Sequence, residues 1–158
     1  MAKKSGKVNT QPFWRFLFVV YCAVMLWLLF GRSWGWDDDL SFLQILEKNI
    51  NLTPMLTLRN YQAVVMAGPE NPYFVHCVIN LLGNIFLFIP AGCLLPKIFR
   101  PQRKFFRFFF TCTGLILLVE VLQLVTLLGS FDIDDLILNL SGMVLGWIFY
   151  MLFSRKSR

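Results

Sequence analysis

Four apolar segments alternate with polar connections along the chain. They cover about residues 14–31, 74–95, 106–128 and 134–153. Each is close to the ~20 residues that an α-helix needs to cross ~30 Å of hydrocarbon. The pattern predicts an all-α membrane protein, a bundle of four transmembrane helices in a single domain that spans residues 1–158, with residues 32–73 as one long outer loop.

Two short amphipathic helices are expected within this loop. Apolar residues recur at helical spacing from Leu43 to Ile50 and again from Leu58 to Val65. Pro54 separates the two stretches because the residue before a proline is disfavoured in a helix. We expect both helices to lie on the outer surface or to dip back into the bundle.

Composition excludes a soluble globular domain. The chain is 57% hydrophobic, contains 17 Phe and has a mean hydropathy of +0.62, whereas soluble domains are about 45–50% apolar. All four cysteines fall in apolar segments, where a thiol usually packs as a small hydrophobe. His76 is the single histidine, so no histidine-based metal cluster can form within one chain. We therefore expect no metal site and no cofactor, with Mg²⁺ or Ca²⁺ on carboxyl and amide oxygens as the alternative that the sequence leaves open.

Charge predicts the orientation of the helices. Lys and Arg cluster in residues 3–15, 97–107 and 155–158, while the other two connections contain few. By the positive-inside rule, both termini and the 97–107 loop are cytoplasmic in a multi-pass protein of the cell membrane. The net charge of +6 then indicates contact with anionic membrane lipids and excludes a nucleic-acid partner. A cleaved signal peptide is the alternative for residues 14–31, but no small-residue cleavage site follows them.

Polar side chains inside the apolar segments are the candidate site, because such groups are costly in hydrocarbon and usually functional. Helical spacing and depth predict that they meet near the outer end of the bundle, whereas Asp134 points about 100° away from Asp135 and is expected to be solvated. The candidate ligand-binding residues are Asn80, Asn84, Glu120, Gln123, Asp132, Asp135 and Asn139.

A purely structural role is the alternative for these residues. Interhelical polar bonds contribute only about 0.6 kcal/mol each, which is a weak reason to place carboxyl groups in a membrane. Lys and Arg occur only at the ends of the apolar segments, so Glu120 has no intramembrane basic partner. It therefore requires a proton, water, a metal ion or a ligand. Gly142 and Gly146 favour close helix packing, with a homo-oligomer contact as the second interpretation.

The ordered motifs resemble the VanZ-like family of bacterial membrane proteins, over residues 15–153. Residues 84–92 read Asn-Ile-Phe-Leu-Phe-Ile-Pro-Ala-Gly, residues 120–123 read Glu-Val-Leu-Gln, and residues 132–142 read Asp-Ile-Asp-Asp-Leu-Ile-Leu-Asn-Leu-Ser-Gly. Asn51-Leu-Thr-Pro54 is similar to an Asn-x-x-Pro element of the family's outer loop. The family often has Arg where this chain has Gly129, so an anion-binding guanidinium is missing here.

The resemblance implies an association with resistance to teicoplanin-type glycopeptide and lipoglycopeptide antibiotics, without an agreed mechanism. Three functions stay open. The polar site binds a lipid-linked or cell-wall headgroup, or it is an intramembrane enzyme with Glu120 and Asp135 as catalytic acid and base, or the protein is a structural or assembly component. Whether the protein is an enzyme is therefore not decided by the sequence.

Overall fold

The computed structural model describes residues 10–31 and 41–155, so the basic residues at 3–7 and 156–158 lie outside the described part. In chain order the elements are α1 (Gln11–Phe30), α2 (Phe42–Lys48), β1 (Ile50–Asn51), α3 (Leu56–Met66), α4 (Phe74–Phe86), α5 (Ile89–Ile98), a 3-10 turn (Arg100–Arg103), α6 (Phe105–Val125), β2 (Phe131–Asp132) and α7 (Ile133–Arg155).

Within the described residues, four helical spans are long and apolar enough to cross a membrane. They are Gln11–Phe30, Phe74–Ile98, Phe105–Val125 and Ile133–Ser154. The expected all-α membrane fold is therefore confirmed, and the two short helices α2 and α3 occupy the connection between the first two spans, as predicted.

The second span is interrupted where α4 meets α5. Pro90 has no N–H to donate to the preceding turn. The chain turns through Leu87 and Phe88, whose N–H groups donate to the carbonyls of Gly83 (2.9 Å) and Ile85 (3.2 Å). The helix then resumes with Pro90 in the first turn of α5, where a proline is tolerated.

The connection between the first two spans, called outer after the orientation that the charge pattern predicts, is held to the start of α7 by a short parallel pairing that the sequence pattern did not predict. Ile50 of β1 lies opposite Phe131 of β2, and Asn51 lies opposite Asp132. The Phe131 N–H donates to the Asn49 carbonyl at 2.9 Å. Ile50 therefore belongs to the strand and does not extend α2 as expected.

The middle of the bundle is built on close contact between α7 and the second span, α4 and α5. A Cβ atom on Gly146 would lie 2.1 Å from the Ile89 carbonyl oxygen and 2.9 Å from the Gly92 Cα. A Cβ atom on Gly142 would lie 2.1 Å from the Ile85 carbonyl oxygen. This confirms the packing interpretation of the two glycines. A homo-oligomer through Gly142 and Gly146 stays a prediction; in the described chain, backbone atoms of the second span lie against both glycines.

The third span, α6, adds one buried stripe to this core. Phe108, Cys112 and Ile116 recur every fourth residue and are 0%, 0% and 2% exposed, because this spacing places side chains on one helix face. The first span is peripheral by comparison: Met25 is its buried residue. Tyr21 joins α1 to the break in the second span by donating its hydroxyl to the Leu87 carbonyl at 2.8 Å.

Candidate functional site

Asp132 is the centre of a polar cluster at the outer end of α7. Its carboxylate accepts hydrogen bonds from the Thr57 hydroxyl at 2.6 Å and from the Asn51 amide at 3.3 Å. The Asn51 amide also donates to the Thr57 hydroxyl at 3.0 Å. The pairing of β1 with β2 brings Asn51 to this position, so the outer connection supplies part of the site. These bonds leave Asp132 only 9% exposed.

Asp134 is fully buried, at 0% exposure, so the expectation of a solvated carboxylate is wrong. Its two oxygens accept the N–H groups of Met55 at 2.7 Å and Leu58 at 3.2 Å. Met55 is the N-cap residue of α3 and Leu58 is its third residue, so both N–H groups lie at the helix start, where donors have no acceptor within the helix, and a negative charge there also interacts favourably with the helix dipole. Asp134 therefore caps α3 from a different helix. Met55 adopts a positive φ of 65° at that point.

Glu120 continues the buried stripe of α6 and is 4% exposed. One carboxyl oxygen accepts the Asp132 N–H at a long 3.4 Å. The side chain also lies within electrostatic range of Asp135 and Asp132. The third and fourth spans thus bring these carboxyl groups together, as the sequence predicted.

Asp135 joins the second span to the cluster. Its Oδ1 accepts a 2.6 Å hydrogen bond from the Asn84 amide. Unlike Glu120, Asp135 is only half-buried, so the cluster reaches the protein surface at this side chain.

Asn139 lies one turn deeper than Asp135 on the same face of α7. The side chain is 4% exposed, and its Oδ1 has no hydrogen-bond partner. Leaving a buried polar atom unpaired costs about 1–3 kcal/mol. Such an atom in a folded protein requires an explanation, and a missing ligand is one.

The remaining candidates are divided between the edge of the cluster and a separate contact. Asn80 donates to the Tyr61 hydroxyl at 2.8 Å. Burial raises the pKa of the Tyr61 phenol above its usual value and the charge of Asp135 adds to the rise, while the bond from Asn80 opposes it. Tyr61 and Asn80 therefore lie beside Asp135. Gln123 instead donates to the Leu29 carbonyl at 2.9 Å and fastens α1 to α6.

Sequence reasoning missed several members of the site, all of them connected with the outer segment. The sequence marks Asn51 only as part of the Asn-x-x-Pro element, and no pattern identifies Thr57 or Tyr61 as partners of residues in the spans. The helical angle of Asp134 alone predicts a solvated side chain. The spacing of Asn51 and Pro54 was the one available sign, because an Asn followed by a proline-initiated turn marks a structured loop.

The cluster contains four carboxyl groups and no paired cation among the described residues. Hydrogen bonds to Glu120, Asp132, Asp134 and Asp135 come from backbone N–H groups, Asn and Thr. In the same described residues, no group of three or more His, Cys, Asp or Glu side chains is arranged to hold a metal ion. The arrangement offers oxygen acceptors that a hydrogen-bond donor with positive charge would complement.

Comparison with known proteins agrees with the motifs. The VanZ/LLP1 family model matches residues 18–154. A relative named Protein VanZ, from Enterococcus faecium, is 28% identical over 137 residues, which cover 86% of this chain and 72% of the relative. No solved structure matches. The match over nearly all of the membrane spans shows that this chain belongs to the VanZ/LLP1 family.

Proposed function

We propose that this multi-pass membrane protein contributes to resistance against teicoplanin-type glycopeptides by binding a lipid-linked or cell-wall headgroup at the polar cluster. One observation carries the proposal. The Asn139 Oδ1 is buried without a partner, close in sequence and on the same helix face as a carboxyl cluster that has no cation of its own among the described residues. A structural cluster would be expected to satisfy its own acceptors.

The chemistry of the cluster favours an ammonium group on the ligand. An ammonium has three N–H donors and a positive charge. Glu120, Asp135 and Asn139 can each supply one acceptor. Gly129 occupies the position where the family often has Arg, so the chain provides no guanidinium there that would favour an anion.

The outer segment controls access in this proposal. Asn51 and Thr57 cover Asp132, while Asp135 and Tyr61 are only half-buried. A headgroup would therefore enter beside Asp135 and displace part of the segment that carries α3. We place this segment on the outer face of the membrane, because Lys and Arg cluster at the other end of the bundle.

Antibiotic susceptibility tests the function. Glu120→Gln keeps the size and hydrogen-bonding capacity of the side chain and removes its ability to carry charge. The control is Glu70→Gln, the same change at an exposed site. The variants are compared at equal amounts of protein in the membrane. If the cluster is a binding site, Glu120→Gln should lose part of the protection against teicoplanin, and Glu70→Gln should lose none. Unchanged protection in Glu120→Gln would refute the proposed site.

Reconstitution of the protein in lipid vesicles tests whether the cluster binds an ammonium group. In vesicles that contain phosphatidylethanolamine, whose ammonium has N–H donors, the protein should unfold at a higher temperature than in phosphatidylcholine, whose ammonium is fully methylated. Ligand binding to the folded state alone produces such a shift. Glu120→Gln should remove the difference and Glu70→Gln should keep it. An equal difference in both variants would show that the bilayer, and not the cluster, distinguishes the lipids.

An intramembrane enzyme is the second candidate, because Glu120 and Asp135 lie within electrostatic range of each other. Two such carboxyl groups can serve as general acid and base. Here Glu120→Gln should abolish nearly all protection, not part of it, since the proton-transferring group would be absent.

Cysteine labelling tests the orientation of the helices in the membrane. Single cysteines at Ser130 and Arg103, in a variant without the four native cysteines, should react differently with an impermeant thiol reagent added to whole cells. Position 130 should be labelled and position 103 protected. Labelling of position 103 from outside would place the polar cluster on the cytoplasmic side.

A further inference from the structure

A cleft of about 760 Å³ lies at the end of the bundle opposite the polar cluster. Its walls come from α1, α5, the 3-10 turn and the last turns of α7. Leu94, Phe149 and Phe153 make it largely apolar, and Lys97 and Arg103 place two positive charges at it. The volume falls within the ~300–1,000 Å³ of sites that hold small molecules.

Aromatic rings and a backbone carbonyl hold the two cations in place. The Lys97 ammonium lies 3.7 Å from the centre of the Trp14 ring, a cation–π contact. The Arg103 Nε donates to the Pro96 carbonyl at 3.0 Å, and its guanidinium carbon lies 6.0 Å from the Tyr150 ring. The charges are therefore positioned before any ligand arrives, which reduces the entropy lost on binding.

Among the described residues, no Asp or Glu side chain lies near this end of the bundle. None of the nine Asp and Glu residues of the sequence lies between positions 71 and 119 or after position 135. Lys97 and Arg103 fall inside the first of these ranges. An anionic ligand would therefore neutralise two charges that no described Asp or Glu side chain neutralises.

We propose that this cleft is a binding site for an anionic phospholipid. The phosphate lies between Lys97 and Arg103, and an acyl chain follows the apolar wall toward Phe153, which is 69% exposed. Basic pockets between transmembrane helices bind anionic headgroups in this way. Trp14 and Tyr150 match the aromatic residues common at the membrane interface. The apolar wall favours a lipid over free phosphate. The inference does not depend on the proposed function of the outer cluster.

Spin-labelled phosphatidylglycerol at low abundance in phosphatidylcholine vesicles tests the site. The measured quantity is the affinity of spin-labelled phosphatidylglycerol for the protein divided by that of spin-labelled phosphatidylcholine, which we call the preference for phosphatidylglycerol. Lys97→Gln with Arg103→Gln should lower this preference for phosphatidylglycerol by roughly twenty-five-fold, from about fivefold for each cation. Lys104→Gln with Arg107→Gln removes the same charge from exposed residues at the start of α6 that do not line the cleft, and should lower the preference far less.

The outcomes distinguish a specific lipid-binding site from general attraction between basic residues and an anionic membrane. An equal loss in both double variants would overturn the proposal in favour of general attraction between the basic loop and the membrane. Displacement of the lipid by excess inorganic phosphate would instead indicate a phosphate site without lipid specificity, and would also overturn it. Should the first double variant not fold, Lys97→Gln alone should lower the preference by roughly fivefold, and no loss would contradict the proposal.

Discussion

Two parts of α7 illustrate different ways in which a small membrane protein uses one helix. In the middle of the helix, Gly142 and Gly146 contact the backbone of the second span directly, and we call this the inner contact. At the outer end, Asp132, Asp134 and Asp135 bind α3, the loop before it and α4 through hydrogen bonds. The inner contact depends on shape and the outer contact on polar groups. A change to alanine should therefore destabilise the protein for different reasons, and by different amounts, at the inner and outer contacts.

The inner contact should give the largest effect. Gly146→Ala places a Cβ atom against the Ile89 carbonyl and the Gly92 Cα, which are backbone atoms that cannot rotate away. Forcing extra volume into a packed region costs about 3 kcal/mol at the upper end of the usual range. We expect the free energy of unfolding in detergent to fall by that amount.

Gly114→Ala is the matched control, because a Cβ atom at that position of α6 meets nothing within 4 Å. It should leave the free energy of unfolding unchanged or raise it by up to about 1 kcal/mol, because alanine is more favourable than glycine inside a helix. If Gly114→Ala loses as much stability as Gly146→Ala, the loss does not come from the contact between α7 and the second span, and this contact is not specified by shape.

At the outer end, Asp134→Ala should destabilise the protein by about 2 kcal/mol. The change leaves the N–H groups of Met55 and Leu58 without their acceptor, and the loss of a helix cap or of a buried acceptor costs about that much. Hydrogen exchange should locate the loss in α3. Glu47→Ala, which removes an exposed carboxylate of the same outer connection, should have almost no effect. Unchanged exchange in α3 would show that Asp134 is not its cap.

Tyr61→Phe should have a smaller effect, about 1 kcal/mol at neutral pH, from the loss of the hydrogen bond from Asn80. The pKa of Tyr61 is raised in the folded protein. The unfolded chain therefore loses its phenolic proton first as the pH rises above about 10. The stability linked to Tyr61 is present below that pH and is lost above it. The wild type and Tyr61→Phe should converge in stability at alkaline pH, and a constant difference would contradict this burial.

The parts of the fold that follow from local pattern could be predicted from the sequence. Apolar length identified the four spans, and helical spacing identified α2 and α3. The pairing of Asn51 with Asp132 joins residues 81 positions apart, and no local pattern reports such a partner. Asp134 was misassigned for the same reason, because its acceptor role is set by the position of α3.

The candidate site also shows, within one helix, that local sequence pattern does not identify the contacts between helices. Glu120 and Gln123 differ by only about 60° around α6, so spacing placed them together. In the structure Glu120 meets Asp132, while Gln123 meets the end of α1. Which neighbour a polar side chain contacts depends on how the helices are arranged around α6, and the nearly uniform apolar surface of that helix gives no indication of it.

The unfolding of Asn139→Leu tests most directly whether the outer cluster is a binding site. Leucine has a similar size and brings no polar atom into the position where Asn139 Oδ1 has no partner. Replacing an unpaired buried polar group by an apolar one of similar shape is neutral or stabilising. We therefore expect a free energy of unfolding equal to or above that of the wild type, together with loss of protection against teicoplanin. A decrease of about 1 kcal/mol or more, the contribution of a typical satisfied hydrogen bond, would show that Asn139 supports the structure and would contradict the binding site.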